Sequence, residues 1–303
     1  MIFVVPAWLW AVFTVSASAA QTARNAMQRD LIATIGTAGA THVRFLFALP
    51  FVAVFLLIQR IVIGLELPIP GVRSLLWIVM GGGAQMIATA LMLAAMRARS
   101  FVVTTAYTKT EPVLIALFGI AFLHETPSLL VALAILIATS GVMLMSWPSR
   151  AIGDEKADRD WTPALTGLGA GAFFAMSGVG YRGGITSLET PSFVLAATTT
   201  LMIGLVMQTI LIVGYLALRD RLLLTKILQN WRPSLLAGFM GALASQFWFL
   251  AFAISTAAKV RTLALIEVPF AQIVSGRIKQ RTSRREFAGM ALIVLGVILL
   301  LNG

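Results

Sequence analysis

The stretch PSRAIGDEKADRDW, residues 148–161, is the longest polar interruption in this chain, and it separates two apolar halves. Over the whole sequence, 59% of the residues are hydrophobic and only 12% are charged. Soluble domains carry about 25% charged residues. The composition therefore predicts an all-α polytopic membrane protein and excludes a soluble enzyme.

Each half contains five apolar segments, separated by charged or proline-bearing stretches. Because a membrane span takes about 20 residues, we predict ten transmembrane helices, at residues 2–22, 38–58, 74–95, 100–123, 127–147, 163–182, 191–216, 234–255, 258–277 and 286–301. An odd number of spans per half reverses the direction of the second half. The sequence thus predicts two inverted five-helix repeats, residues 1–147 and 163–303, joined by a polar linker at 148–162.

The first apolar run is followed by small residues at 16–20, as in a signal peptide. A signal peptide begins with a basic region, whereas the first cation in this chain is Arg24. We therefore interpret the run as span 1.

The basic residues predict the orientation of the chain. Sixteen of them lie in the connections after odd-numbered spans, and at most five lie on the other side, namely Arg60, Arg73, Arg182, Lys259 and Arg261. Cytoplasmic connections carry the excess of Lys and Arg, so the odd-numbered connections are predicted to be cytoplasmic and both termini to lie outside. This bias accounts for the formal net charge of +11, and no nucleic-acid partner is expected.

The two halves show an internal similarity that supports the repeat. A shift of 156 residues superposes Glu111 on Glu267. In both halves a glycine-bearing span precedes a span with a glutamate near a proline, and the last span ends in Gly-Val. The register is open by one residue, because Pro112 follows Glu111 directly and Pro269 follows Glu267 after one residue.

Four motifs carry a resemblance that covers essentially the whole chain: WLWAVF at 8–13, VRFLFALPF at 43–51, TEPVLIALFGIAFLHE at 110–125 and EFAGMALIVLGVILL at 286–300. With its five-plus-five layout, the sequence resembles the drug/metabolite transporter superfamily, with EamA-type domains in tandem. The resemblance implies a membrane transporter and leaves the substrate open. RIKQRTSRR at 277–285 replaces a glutamate of the family pattern. Members are commonly described with cytoplasmic termini, opposite to the charge count.

Span 4 contains two ionisable residues, Lys109 and Glu111. A charge in mid-span costs about 2.5–3.5 kcal/mol on insertion scales, so both are candidates for function. At 100° per residue, Glu111 shares a helical face with Tyr107 and Thr108. This stripe predicts a cavity lining in which Glu111 exchanges protons or faces the substrate. The alternative is that Glu111 pairs with a cation, such as Lys109, Arg261 or Arg44, and only holds the helices together.

Glu267 is the corresponding carboxylate of span 9, with Arg261 nearer the start of that span. Lys109 lies too deep to reach the headgroups and needs an acidic partner or an anionic ligand. Arg44, one to two turns into span 2, can alternatively extend to the membrane surface. Because cations at least equal carboxylates in the spans, the sequence favours a substrate that bears a carboxylate or phosphate.

Three further side chains are candidates for the same cavity. Trp10 and Trp248 fall near mid-span, where they either line a cavity or pack between helices. Gln246 either binds a ligand or forms hydrogen bonds between helices.

The sequence predicts a proton-coupled secondary transporter that exports a small polar, zwitterionic or anionic metabolite, such as an amino acid, by alternating access. The alternatives are an exporter of cationic or amphipathic drugs, and a non-transporting scaffold or lipid-handling protein. With no cysteine, and with His42 and His124 near span ends, no nucleophile and base converge as an enzyme requires. We expect no metal or cofactor. The expected partners are the substrate, protons and the lipid bilayer of a bacterial inner (cytoplasmic) membrane, with function as a monomer and a dimer left open.

Overall fold

The computed structural model describes residues 5–64, 66–98, 110–146, 162–268 and 284–303. These residues form helices and contain no strand. The first half contains α1 (Leu9–Leu46), α2 (Leu49–Ile63), α3 (Val72–Ala98), α4 (Glu111–Phe118), which continues as a π-helical turn at Gly119–Leu123, and α5 (Leu129–Ser146). The second half contains α6 (Thr162–Thr186), α7 (Phe193–Arg219), α8 (Arg221–Gln229), α9 (Trp231–Ile254), α10 (Ala257–Leu263), followed by a 3₁₀ turn at Ala264–Ile266, and α11 (Arg284–Leu301).

Four segments of the described chain are long and apolar enough to cross a membrane: Asp30–Ile63, Val72–Ala95, Phe193–Arg219 and Trp231–Ile254. Two shorter apolar helical stretches cover Glu111–Leu123 and Leu129–Met145. This is the architecture of an all-helical, multi-pass membrane protein, as the composition predicts. The count of ten spans and their arrangement as two inverted repeats stay predictions.

Helix α1 extends well beyond the predicted end of span 1. It passes Arg24 and Asp30 without interruption, and its non-helical residue is Gly36, with φ 71° and ψ 171°. Glycine adopts this conformation readily because it has no Cβ. The polar residues between Arg24 and Asp30 include neither glycine nor proline, so they do not end the helix. Gly36 is therefore the break between the helix of span 1 and the helix that leads into span 2.

Helix α8 lies in the predicted connection after span 7 and was not expected from the sequence. The side chain of Asp220 caps it by accepting a hydrogen bond from the backbone N–H of Leu223 at 2.9 Å. One face buries Ile227, whereas Leu222 is exposed beside the basic residue Arg221. A short helix that carries both basic and apolar residues is typical of the membrane interface.

The chain divides into two compact units, each of which draws on both halves of the sequence. Unit 1 comprises Met1–Gly82 and Gly180–Ser255. Within it, α1 packs along α9, and α7 packs against α2 and α9. A close approach occurs at Gly238 of α9, where a Cβ atom would lie 2.4 Å from the Cβ of Phe47.

Unit 2 comprises Gly83–Val179 and Thr256–Gly303. Within it, α5 packs along α11, and α10 packs against α4 and α5. A Cβ atom on Gly141 of α5 would lie 2.6 Å from the carbonyl oxygen of Gly289 on α11, so the two backbones are in direct contact. The packing of α10 against α4 is what positions the charged side chains described next.

Candidate functional site

Glu111 and Arg261 form an ion pair inside unit 2. The Nε–H of Arg261 on α10 donates to Oε1 of Glu111 on α4 at 2.6 Å. The Glu111 side chain is 14% exposed and the Arg261 side chain 23%. Charge-assisted hydrogen bonds of this length are among the strong ones in proteins. The structure therefore brings together two of the predicted site residues, and each side chain compensates the charge of the other within unit 2.

Local sequence explains the position of both partners. Glu111 begins α4 and is followed by Pro112, which suits the first turn because that turn has no partner for its N–H groups. The N-cap of α10 is Thr256, whose side chain accepts from the backbone N–H of Lys259 at 3.4 Å. Arg261 lies in the last turn of α10, where a cation is favoured by the helix dipole.

Four other predicted site residues belong to spans 4 and 9. Lys109, Tyr107 and Thr108 lie outside the described residues, so the hydroxyl stripe stays a prediction. Glu267 follows the 3₁₀ turn after α10 and is half-buried. In the part of the chain that the structure describes, no three His, Asp or Glu side chains are close enough to hold a metal ion.

The predicted polar and aromatic residues of spans 1 and 8 belong to unit 1. Gln246 is buried, and its Nε2 donates to Oγ1 of Thr198 at 2.7 Å. Trp248 is 7% exposed, and its Nε1–H donates to Oε1 of Gln21 at 3.3 Å. Trp10 is half-buried near the start of α1. Gln246 and Trp248 thus form hydrogen bonds between helices, and their roles at a ligand cavity stay predictions.

Two arginines from α1 lie against Gly241 of α9. A Cβ atom on Gly241 would be 3.3 Å from Cδ of Arg24 and 3.6 Å from Cβ of Arg44. Arg24 is only 8% exposed. Arg44 is half-buried, its Nε is inaccessible to solvent, and its guanidinium carbon lies 4.5 Å from the ring centroid of Phe45. Both cations are therefore held at the α1–α9 contact.

Arg24 is not among the residues predicted for the site, because it falls in a connection predicted to be cytoplasmic. A signal for its burial is nevertheless present in the sequence, since the helix-forming stretch that contains Arg24 continues without glycine or proline as far as Gly36. A helix of that length places Arg24 beside α9 rather than beyond the end of the span.

Tyr181 and Gln208 extend this polar region of unit 1. A hydrogen bond joins their side chains, and Nε2 of Gln208 donates to the carbonyl oxygen of Gly82 at 3.1 Å. Tyr181 also lies within electrostatic reach of Arg44. Because Gly82 lacks a side chain, the Tyr181 hydroxyl can approach α3 closely, at 3.3 Å from where a Cβ would be.

The carboxylates of unit 1 are distributed differently from its arginines. All four of them, Asp30, Glu66, Glu189 and Asp220, are exposed. Since Arg24 is buried and Arg44 half-buried, the formal charge carried by the interior side chains of this unit is positive.

A family comparison assigns the amino-terminal half of the chain. The model of the EamA-like transporter family matches residues 2–147. Residues 2–147 are thus similar to an EamA-like transporter domain. This match confirms the family resemblance for the first of the two predicted repeats. A second EamA-like domain at 163–303 stays a prediction.

Solved structures share the fold of the whole chain. One crystal structure, described only as that of a protein, superposes with a TM-score of 0.62 over 96% of this chain and 96% of its own length, at 15% sequence identity. At this identity the similarity establishes the fold alone. No curated protein sequence matches the chain.

Proposed function

We propose that this EamA-like protein is a secondary active transporter that exports a small zwitterionic or anionic metabolite by alternating access, coupled to protons. The transporter class rests on the family match of residues 2–147. The substrate class rests on one observation, the convergence of Arg24 and Arg44 on Gly241 inside unit 1.

Two arginine residues at one helix contact favour an anionic substrate. Charges interact much more strongly in a low-dielectric interior than in water, and the carboxylates of unit 1 are all exposed. A guanidinium also presents a planar fork of donors that matches a carboxylate or phosphate in two parallel hydrogen bonds. The interior of unit 1 therefore suits a substrate carboxylate better than a purely cationic drug.

Proton coupling is proposed for the Glu111–Arg261 pair of unit 2. Protonation of Glu111 removes the negative charge that holds Arg261, so the contact between α4 and α10 has two electrostatic states. Carboxylates within membrane spans commonly form proton relays in transporters. Glu267, in the same unit, is the second candidate for this role.

The protein is further proposed to act in a bacterial inner membrane, with the odd-numbered connections in the cytoplasm. The monomer is the proposed working unit. The lipid bilayer and protons are its partners beside the substrate.

Flux into proteoliposomes tests the proposal. Labelled neutral amino acids, dicarboxylates and a cationic dye are offered to the wild type, Arg44→Lys and Arg44→Gln. We expect saturable flux of a zwitterion or anion, about tenfold or more slower in Arg44→Gln and partly retained in Arg44→Lys. The exposed Lys226→Gln on α8 is the matched control and should keep wild-type flux.

Two other results would decide for the alternatives. Flux of the cationic dye, without flux of any zwitterion or anion, would identify a drug exporter. Saturable binding without flux of any probe would identify a scaffold or lipid-handling protein.

A further inference from the structure

Unit 2 contains a cavity of about 250 Å³ beside the π-helical turn of α4. It is bounded by the segment around Glu125 and by the first turn of α10 around Lys259. Pockets for drug-sized ligands measure about 300–1,000 Å³, so this cavity fits a smaller molecule. It is distinct from the arginine pair at Gly241, which belongs to unit 1.

The cavity lining carries one acidic and one basic side chain. Glu125 and Lys259 both line it, together with the hydroxyl-bearing residues Thr126, Ser128 and Thr256. Lys259 is half-buried, and its ammonium group has no ion-pair partner among the described residues. An ammonium group that is half removed from water is stabilised by an anion. The lining thus offers a place for a carboxylate at Lys259 and for an ammonium at Glu125.

The backbone around Glu125 is built in an unusual way. The helix changes from α to π geometry at Gly119–Leu123, and His124 then takes a left-handed conformation with φ 56°. The Glu125 N–H returns to the carbonyl oxygen of Gly119 at 3.1 Å. π turns and left-handed residues other than glycine are uncommon, and both are found frequently at functional sites. Here they turn the chain so that Glu125 faces the cavity rather than continuing along the helix.

The same helix faces lead from the cavity to the Glu111–Arg261 pair. Ile115, which lines the cavity, lies one turn after Glu111 on α4, and Ala258, which also lines it, lies one turn before Arg261 on α10. Residues three or four apart share a helix face. A molecule in the cavity is therefore one helical turn from the ion pair.

We propose that this cavity is a binding site for a small zwitterion, with Lys259 holding the carboxylate and Glu125 the ammonium. Its role as a waiting position on the transport route rests on the proposed function, whereas binding itself does not. The apolar lining at Ile115 and Val131 favours a short aliphatic side chain on the ligand. A neutral α-amino acid has this combination of groups.

Binding to the purified full chain in lipid nanodiscs tests the site without relying on transport. The probes are labelled L-alanine, L-serine, L-threonine, L-valine and L-leucine, followed by 3-methylbutanoate and isobutylamine, which are L-valine without its ammonium and without its carboxylate. We expect at least one amino acid to bind, and each truncated analogue to bind about tenfold to a hundredfold more weakly, because each lacks one of the two charged groups that the site binds.

Variants locate the binding. Lys259→Gln and Glu125→Gln should each weaken amino-acid binding by about tenfold or more, while Lys259→Arg retains most of it. Lys226→Gln and Glu189→Gln, exposed on unit 1, are the matched controls and should bind as the wild type does. Unchanged melting temperatures show that the variants are folded. Should a variant melt early, Lys259→Arg beside Lys259→Met in the same assay separates loss of charge from loss of fold.

The outcomes separate this site from the transporter proposal. Binding that depends on Lys259 and Glu125, without flux of any probe in proteoliposomes, supports the site and removes the transport role. No binding of any of the five amino acids, or binding unaffected by both substitutions, overturns the site. Zwitterion flux that is unchanged in Lys259→Gln removes the cavity from the transport route while leaving the proposed function intact.

Discussion

At the scale of single residues, the Glu111–Arg261 pair shows how this protein holds charge inside an apolar bundle. The two side chains are 14% and 23% exposed, so little water replaces a lost partner. Removing one member of such a pair leaves the other charge poorly solvated, whereas replacing both removes the problem. Because single and double replacements differ in this way, mutation can measure the interaction between Glu111 and Arg261.

The first prediction is a double-mutant cycle on this pair. Glu111→Gln and Arg261→Gln should each lower stability by about 1–3 kcal/mol, and the double variant should recover most of the loss. Thermal unfolding of the purified proteins in one detergent measures this. Glu189→Gln, an exposed substitution of the same kind, should change nothing. Additive losses in the double variant would show that the two side chains do not stabilise one another.

The second prediction concerns the proton. If Glu111 carries it, Glu111→Gln should transport without acceleration by a pH gradient, since the glutamine side chain does not titrate in this range. Flux is measured with and without an imposed gradient, in variants that melt at a normal temperature. A Glu111→Gln protein with the wild-type rate and pH dependence would remove Glu111 from the mechanism.

Glu111 and Arg261 could be identified from the sequence, but their pairing could not. Helical phase gives the face on which a side chain lies, not the helix that it meets. The pairing depends on α10 packing against α4, a contact between residues 150 positions apart. Arg24 shows a different failure, because span 1 was predicted to end before it, whereas α1 continues past Arg24 and holds it against Gly241 of α9.

At the scale of helices, glycine decides where α1 bends. Gly36 has φ 71° and ψ 171°, and no atom lies within 4 Å of the position that a Cβ would occupy. A side chain at position 36 is therefore disfavoured by the backbone dihedral angles and not by neighbouring atoms. A residue with a side chain in this region of dihedral space carries a cost of about 1–3 kcal/mol.

The third prediction follows from this bend. Gly36→Ala should lower the melting temperature or straighten α1 at this point, because alanine favours the helical conformation. The matched control is Gly214→Ala in α7, which also has open space around it but a regular helical backbone, and which should be neutral or slightly stabilising. Equal melting temperatures for the two variants would mean that the bend at Gly36 carries no strain.

The contact between α5 and α11 depends on small residues for a different reason. At Gly141 a Cβ would lie 2.6 Å from the backbone oxygen of Gly289, and at Gly296 it would lie 2.7 Å from the Cβ of Ala138. Small residues that let backbones approach are a main source of helix association in membranes. Neither backbone can move away without separating the helices.

The fourth prediction is that Gly141→Ala and Gly296→Ala each destabilise unit 2 by about 1–3 kcal/mol, the usual cost of overpacking. Gly214→Ala serves again as the control. Thermal unfolding of each variant in the same detergent reports the effect, and a loss of stability no larger than that of Gly214→Ala would contradict the close contact.

The sequence predicted the apolar segments of these helices better than their ends. Hydropathy locates a span because the bilayer selects apolar side chains, but charged residues such as Arg24 and Asp30 do not stop a helix. Helix α8 was missed because its stretch is too short and too basic to resemble a span. Its amphipathic pattern is visible only once its boundaries are known.

At the scale of the whole molecule, each compact unit is assembled from both halves of the sequence. The cavity of unit 2 illustrates this, since it joins the connection after span 4, the connection after span 8 and Gly303. This proximity favours a topology in which the three parts lie on the same side of the membrane. This agrees with the alternation of ten predicted spans, in which all even-numbered connections share one side.

The last prediction tests which side that is. The chain has no cysteine, so single cysteines introduced at Thr126 and at Thr225, both exposed, are the only sites for a membrane-impermeant maleimide. The excess of basic residues in the odd-numbered connections places residue 225 in the cytoplasm. In intact cells we expect labelling of Thr126→Cys but not of Thr225→Cys, which should react only after permeabilisation. The unmodified protein, which should not react in either condition, is the control. The reverse pattern would place the termini in the cytoplasm and would show that the charge count misjudges this protein's orientation.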